Sequence, residues 1–350
     1  MIPIYKPYMP DKLMPELNEI LYSGQLSYGK YGKQFESTLK EYIGCEYIMT
    51  INSYNTAMQV VLSTLGLQFG DEVIASPVSC LASNQPFATK GLQLVWADID
   101  PSTGTLCPKD VESRITKNTK AIFHNHFCGY LGNIDAISAL GKKYGIPIID
   151  DGIEAFGSEY KGNKLGNVGT DVTVFSFQTV RLPNTIEGGA IVFKDRALYE
   201  RALLIRDYGI DRSRFRTTDG EIDPECDIEV EGYGGLMSEV NSFIGIKQME
   251  NIDCLLNKQK ANAIKWIELL QSKNISPLKT LENITPNYWV FGTLSENGKE
   301  TISYFKSKGY YATGVHINNN IYSVFKNPCD LKGVNKFKQE FVAIPSGWWY

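Results

Sequence analysis

The segment from Tyr47 to Phe193 alternates short apolar runs with amphipathic stretches, and this pattern restricts the possible folds more than any other feature. The apolar runs predict buried strands and read EYIMTIN, DEVIASP, LQLVWADID, TKAIFHNHF, IPIIDD, DVTVFSF and GGAIVF. NTAMQVVLSTLGL and IDAISALGKKYG carry apolar residues at helical spacing, and we expect Asn55 or Thr56 to cap the first of these helices. Buried strands separated by helices predict an α/β domain with a mostly parallel sheet.

The chain changes character after Phe193. RALYERALLIRDYGIDR predicts a charged helix, and residues 217–235 are acidic, contain glycine and predict a long loop. Residues 240–273 form a long amphipathic pattern that is suited to tying two domains together. We therefore expect a large domain over residues 1–240 and a small C-terminal α/β domain over residues 241–350, with the N-terminal segment packed on the small domain.

Composition narrows the possible partners. The net charge of −4 gives no case for nucleic acid or an acidic membrane surface as the main partner. No run of ~18 apolar residues predicts a membrane span, and the first residues lack a secretory pattern. The seven cysteines are scattered, odd in number and never in a CxxC pair, so we expect neither a disulfide framework nor a metal site. A reducing, cytoplasmic location fits this cysteine usage.

Three polar features lie where a parallel sheet holds its ligands, at the carboxyl ends of strands. Asp150 and Asp151 follow IPII, where they would hold a cation or a protonated ring nitrogen, or cap a helix. The turn at residues 53–56 begins a helix and suits a phosphate, although most such turns bind nothing. Ser176 and Arg181 share one loop, which suits an anionic ligand but is also a common surface pattern.

Taken together, these segments resemble the DegT-type sugar aminotransferases over nearly the whole chain. The resemblance rests on GQLSYGKYGKQFESTLKEYIG, GDEVIASPVSCLASNQPFATKGLQLVWADIDPSTG, IIDDGIEAFGSEYKGNKLGNVGTDVTVFSF, VNSFIGIKQME, VHINNNIYSVF and IPSGWWY. It implies the aspartate-aminotransferase, type I pyridoxal-phosphate fold and a homodimer with shared active sites. It also implies amino transfer from glutamate to a nucleotide-linked keto sugar, in bacterial surface-polysaccharide biosynthesis.

The resemblance also assigns roles to individual residues. Asp151 would pair with the pyridine nitrogen of the cofactor, Glu154 would contact the ring region, and Ser176 would bind the phosphate. Several other positions depart from the family pattern. Tyr54 and Asn55 stand for the small Gly-Thr before Thr56, and a tyrosine there would crowd the phosphate. Cys80 or Leu81 stands for the aromatic residue over the ring, Ser238 for the asparagine from the partner subunit, and Gly234 for a lysine.

The most consequential departure is Arg181, because the family carries its Schiff-base lysine five residues after the serine of FSF. A guanidinium is not deprotonated in proteins, so it cannot form the aldimine or move the substrate proton. The nearest lysines, Lys164 and Lys194, lie outside this turn.

Three functions therefore remain open. The first is an enzyme that uses pyridoxal or pyridoxamine phosphate without a covalent bond, as in the family's sugar dehydratases, with His126 or His316 as proton carrier. The second is an ordinary aminotransferase whose lysine lies elsewhere or was replaced. The third is a non-catalytic binding protein or partner subunit without cofactor, in which Arg181 is a fixed charge that binds an anionic sugar nucleotide.

Overall fold

The computed structural model describes residues 1–271, 273–325 and 327–350. Its strands are β1 Tyr47–Ile51, β2 Glu72–Ala75, β3 Gln93–Trp96, β4 Ile99–Asp100, β5 Thr105–Leu106, β6 Thr119–Asn125, β7 Ile148–Asp151, β8 Glu159–Tyr160, β9 Asn163–Lys164, β10 Val172–Ser176, β11 Gly189–Phe193, β12 Ser276–Pro277, β13 Ile284–Thr285, β14 Phe291–Leu294 and β15 Phe341–Ile344. Its helices are α1 Met14–Tyr22, α2 Lys30–Ile43, α3 Tyr54–Thr64, α4 Leu81–Thr89, α5 Pro108–Arg114, α6 Ile134–Tyr144, α7 Arg196–Arg206, α8 Glu239–Met249, α9 Ile252–Leu270, α10 Gly298–Ser307 and α11 Lys332–Glu340.

The central sheet has seven strands in the order β1-β11-β10-β7-β6-β2-β3. Strands β10, β7, β6, β2 and β3 run parallel to one another, whereas β11 is antiparallel to both β10 and β1. Every residue of β7 and β10 is buried, as expected for strands covered by helices on both faces. The predicted α/β fold with a mostly parallel sheet is thus confirmed.

Two predicted helical features were wrong in detail. Helix α3 is capped by Ser53, not by Asn55 or Thr56, because Ser53 is extended and its Oγ accepts a hydrogen bond from the Thr56 backbone N–H at 3.1 Å. The single long pattern over residues 240–273 forms two helices, α8 and α9. They separate at Asn251, whose dihedrals (φ −117°, ψ 0°) depart from helical values.

A second, three-stranded antiparallel sheet consists of β12, β14 and β15, and β14 lies at its centre. The N-terminus reaches this part of the chain, since Ile2 N–H donates to Gly309 O at 2.7 Å and Tyr311 N–H donates to Ile2 O at 2.9 Å. The division at residue 240 stays a prediction. Within the three described ranges, no helix is both long and apolar enough to cross a bilayer.

Candidate functional site

The candidate site lies at the carboxyl ends of three adjacent parallel strands. Asn125 ends β6, Asp151 ends β7 and Ser176 ends β10, and Asn125 pairs with Asp151 in the sheet register. Parallel strands place their carboxyl ends on one edge, so residues far apart in sequence meet there. The loop after β10 brings Arg181 to the same edge.

Asp151 is fully buried and receives its hydrogen bonds from neutral donors. Its Oδ1 accepts from the Tyr54 hydroxyl at 2.7 Å and from the Ile153 N–H at 3.2 Å, and its Oδ2 accepts from the Asn125 amide at 2.8 Å. Burial raises the pKa of Asp151 above its ordinary value, although these hydrogen bonds oppose the shift. The carboxyl group is therefore held by neighbours on its own chain.

Arg181 is buried against an aromatic ring. Its guanidinium carbon lies 4.3 Å from the centroid of the Trp289 ring, and the Trp289 indole N–H donates to Val180 O at 2.9 Å, which fixes the turn before Arg181. Nη1 of Arg181 is 3.5 Å from Glu154 Oε1. Among the described residues, Nε and Nη1 of Arg181 have no hydrogen-bond acceptor, although the side chain is only 6% exposed. A buried guanidinium with open donors marks a place for an acceptor.

Glu154 links Arg181 to His316. Its Oε1 lies 2.8 Å from Nε2 of His316, and its Oε2 accepts from the Cys128 N–H at 2.8 Å. Burial alone would raise the pKa of Glu154, but His316 and Arg181 together lower it below its ordinary value. The predicted candidates His316, Glu154 and Arg181 thus meet in one charged cluster.

A cavity of about 190 Å³ opens beside His316. It is lined by aromatic and apolar side chains together with a few polar groups: Val78, Phe127, Gly314, His316, Ile317, Asn318, Phe337, Lys338 and Phe341. His316 lines this cavity with a side chain that is 18% exposed, and it also contacts the buried Glu154 carboxylate. His316 therefore connects the cavity with Glu154.

His126, the other predicted proton carrier, lies away from this cluster. Its Nδ1 accepts from the Gly132 N–H at 3.1 Å, so the ring proton is on Nε2, which is 3.1 Å from Asp150 Oδ1. Nδ1 of His124 is also 3.1 Å from this oxygen. Successive strand residues face opposite sides of a sheet, so Asp150 and its histidines lie opposite Asp151. The structure does not bring His126 to Arg181.

The start of α3 and the loop after β10 hold the residues assigned to a phosphate. Ser176 is buried, and its Oγ accepts a long 3.4 Å hydrogen bond from the Gln178 N–H. Thr56 Oγ1 lies 2.8 Å from the Ser53 hydroxyl, and Asn55 is exposed. Tyr54 begins the helix, but its side chain turns inward to Asp151. The expected crowding by Tyr54 therefore falls at the carboxylate.

The remaining candidates, Cys80 and Ser238, lie at the starts of two helices. Cys80 precedes α4, is half-buried, and has its pKa raised by burial and by Glu154. Ser238 caps α8, because its Oγ accepts from the Asn241 N–H at 3.1 Å.

Sequence reasoning missed Asn125, Trp289 and Tyr5. The Tyr5 ring stacks on Trp289 at 4.6 Å between centroids, and burial raises its pKa, with further contributions from Cys128 and Glu154. Tyr5 and Trp289 are 284 positions apart in the numbering, and neither lies in a motif, so no local pattern identifies them. Asn125 lies inside the predicted strand TKAIFHNHF, which extends to Phe127, so the pattern did not mark it as the end of a strand.

The sequence of residues 7–345 matches the model of the DegT/DnrJ/EryC1/StrS aminotransferase family, and the chain belongs to this family. Its fold is close to that of the sugar aminotransferase CalS13 from Micromonospora echinospora, with a TM-score of 0.93 and 25% identity over 100% of this chain and 96% of that chain. AtS13 from Actinomadura melliaura has a TM-score of 0.92 and 26% identity over 100% and 94% of the two chains.

A third similar structure is Spr1654 from Streptococcus pneumoniae in its PMP form, at 22% identity, a TM-score of 0.90, and 100% and 95% coverage of the two chains. A pyridoxal-phosphate-type cofactor is thereby implied for the family. The residues of this chain do not fit that group. Oδ1 of Asp151, the carboxyl group that would pair with a pyridine N–H, already accepts from the Tyr54 hydroxyl, and Arg181 has no amine that could form a Schiff base.

Proposed function

We propose that this chain binds a nucleotide-linked sugar without transferring an amino group through a Schiff base, and that Arg181 is the fixed cation that attracts the ligand's anionic part. The observation that carries the proposal is the buried Arg181 guanidinium, whose Nε and Nη1 have no hydrogen-bond acceptor within the described ranges. The family implies a keto-sugar substrate and an amino donor. The nucleotide carrier, glutamate as donor, a homodimer and a role in surface polysaccharide remain predictions.

The surroundings of Arg181 support binding of an anion. Trp289 holds the guanidinium plane, and one donor edge is partly neutralised by Glu154 at 3.5 Å. A planar guanidinium suits a carboxylate or a phosphate because its N–H groups donate in pairs. The cavity beside His316 is lined in part by aromatic side chains, which suit carbohydrate and nucleotide ligands, and it adjoins the cluster of His316, Glu154 and Arg181.

The alternative of a non-covalent cofactor enzyme has one observation in its favour. His316 contacts Glu154 beside Arg181, which is where a proton carrier would be useful. The hydrogen bond between Tyr54 and Asp151 opposes this alternative, because it occupies the carboxylate that would keep a pyridine ring protonated.

The proposal is tested by calorimetric titration of the purified full chain with UDP-glucose and TDP-glucose. We expect binding without colour, and a loss of at least about tenfold in affinity in Arg181→Met, because a charge-assisted hydrogen bond is removed. Arg181→Lys is the matched control, since it retains the charge but not the paired donors. Equal affinity of Arg181→Met and the unmodified protein would contradict the anion role. A yellow, borohydride-sensitive adduct in the unmodified protein would contradict the absence of a Schiff base.

A further inference from the structure

One side chain of this protein connects two places that a pyridoxal-type cofactor needs. Tyr54 is the first residue of α3, where unbonded N–H groups at a helix start suit a phosphate. Its hydroxyl donates to Oδ1 of Asp151 at 2.7 Å, at the end of β7. The residue is 4% exposed, so its ring fills the space between the helix and the sheet edge.

Both oxygens of Asp151 already accept hydrogen bonds from the described residues. Oδ1 accepts from Tyr54 and Ile153, and Oδ2 accepts from the Asn125 amide. A carboxylate offers about four lone-pair sites. Because Tyr54 is the first residue of α3, its side chain reaches Oδ1 from the helix start, where the phosphate of such a ligand would lie.

The hydrogen-bonded pair of Tyr54 and Asp151 also needs no cation to stabilise it. Burial raises the pKa of both Asp151 and the Tyr54 hydroxyl, so each group favours its neutral form more than it would in water. A neutral donor of this kind satisfies the carboxyl group without a cation. A carboxylate that awaits a protonated ring nitrogen would instead be left with an open oxygen in the unliganded chain.

We propose that Tyr54 replaces the cofactor ring: it spans from the helix start to Asp151 and thereby excludes pyridoxal and pyridoxamine phosphate from this pocket. Asp151 is retained as the acceptor that anchors Tyr54. Tyr54 is then a residue that determines ligand specificity, and its effect is separate from that of Arg181. The inference does not depend on nucleotide-sugar binding, which the calorimetric titration tests by itself.

Pyridoxamine phosphate is the suitable probe, because its binding needs no Schiff base and therefore no lysine. Equilibrium dialysis compares the unmodified full chain, Tyr54→Gly and Tyr54→Phe. We expect at least about tenfold tighter binding in Tyr54→Gly, which opens the space. Tyr54→Phe is the matched control, since it removes the hydroxyl but keeps the ring, and we expect it to bind as weakly as the unmodified chain.

Two outcomes of the dialysis would overturn the inference. The first is binding of pyridoxamine phosphate to the unmodified chain as tightly as to Tyr54→Gly. The second is no gain in a folded Tyr54→Gly, since the exclusion would then have another cause. Thermal unfolding reports whether the variant is folded, and Tyr54→Ser is the substitute if Tyr54→Gly is not. If neither variant folds, the binding of pyridoxamine phosphate to Tyr54→Phe decides. Tight binding beside an intact ring contradicts the inference, and weak binding supports it.

A second readout uses colour. The double variant Tyr54→Gly/Arg181→Lys restores both an open space and an amine, and we expect it to form a borohydride-sensitive yellow adduct with pyridoxal phosphate. Arg181→Lys alone should stay colourless, because Tyr54 still covers Asp151. Colour in the single variant would overturn the inference.

Discussion

Asp150 and Asp151 are neighbours in sequence, yet they face opposite sides of the central sheet and differ in every contact. Asp150 lies 3.1 Å from His124 Nδ1 and 3.1 Å from His126 Nε2, and its Oδ2 accepts from the Thr170 hydroxyl at 2.5 Å. Among the described residues, the groups that donate to Asp151 carry no charge, and the nearest is the Tyr54 hydroxyl at 2.7 Å.

The two environments shift the two carboxyl groups in opposite directions. Burial alone would raise the pKa of Asp150, but His126 and His124 lower it well below its ordinary value. Burial raises the pKa of Asp151, and its neutral donors do not reverse the shift. The difference teaches that two carboxylates after a strand do not form one site: Asp150 contacts two buried histidines, and Asp151 lies on the opposite face, beside Tyr54.

Replacing each carboxylate by alanine gives the largest contrast. Asp150→Ala leaves two buried imidazoles and a hydroxyl without their acceptor, and we expect it to lower the free energy of unfolding by about 3–5 kcal/mol. Asp151→Ala leaves only neutral donors without an acceptor, so we expect a loss of about 2 kcal/mol in the free energy of unfolding. Urea denaturation of both variants measures the difference. A larger loss for Asp151→Ala would show that the two environments have been assigned in the wrong order.

On the Asp151 side, the charged cluster at Glu154 should behave as a coupled unit. Glu154→Gln removes the negative charge that faces His316 and the buried Arg181, and we expect a loss of about 2–3 kcal/mol in the free energy of unfolding. The control is a double-mutant cycle with Arg181→Met. We expect the double variant to lose less than the sum of the single losses, because the apolar side chain needs no counter-charge. Additive losses would indicate no coupling across the 3.5 Å separation.

One hydroxyl donor can be removed on each face without changing side-chain shape much. Thr170→Val leaves Asp150 Oδ2 without that donor, and we expect a loss of about 1.5 kcal/mol in the free energy of unfolding. Tyr54→Phe should cost less, about 1 kcal/mol, because Asp151 Oδ1 retains the Ile153 N–H. Chemical denaturation at one pH compares the pair. Equal losses in the free energy of unfolding would mean that the histidines beside Asp150 do not make its hydrogen bond from Thr170 more stabilising.

The sequence predicted more of the sheet than of the site. Apolar runs located β7 and β10, and the carboxyl ends of parallel strands lie at one edge of a sheet, so Asp151 and Ser176 were expected on one edge. The order of the seven strands was not predicted. Arg181 was recognised as unusual because its chemistry conflicts with the family reaction.

The direction of a side chain and contacts between distant segments could not be predicted. Tyr54 was expected to crowd a phosphate, but the helix start directs its side chain to Asp151, 97 positions away. The stack of Tyr5 and Trp289 depends on packing between the two ends of the chain. His126 has the right chemistry for a proton carrier, and only the alternation of strand residues assigns it to the opposite face.

The histidine side should also give stability a pH dependence near neutral pH. Burial lowers the pKa of His124, and His126 lowers it further, so the unfolded chain binds the proton more readily than the folded one. Stability should be full above the ordinary histidine pKa of about 6.5 and fall as the pH drops below it. The lowered pKa of Glu154 acts the same way only below about 4.3, the ordinary glutamate value. Unfolding midpoints between pH 5 and 8 test this, with His124→Asn as the control that should flatten the slope. An unchanged slope in that variant would assign the pH dependence to another group.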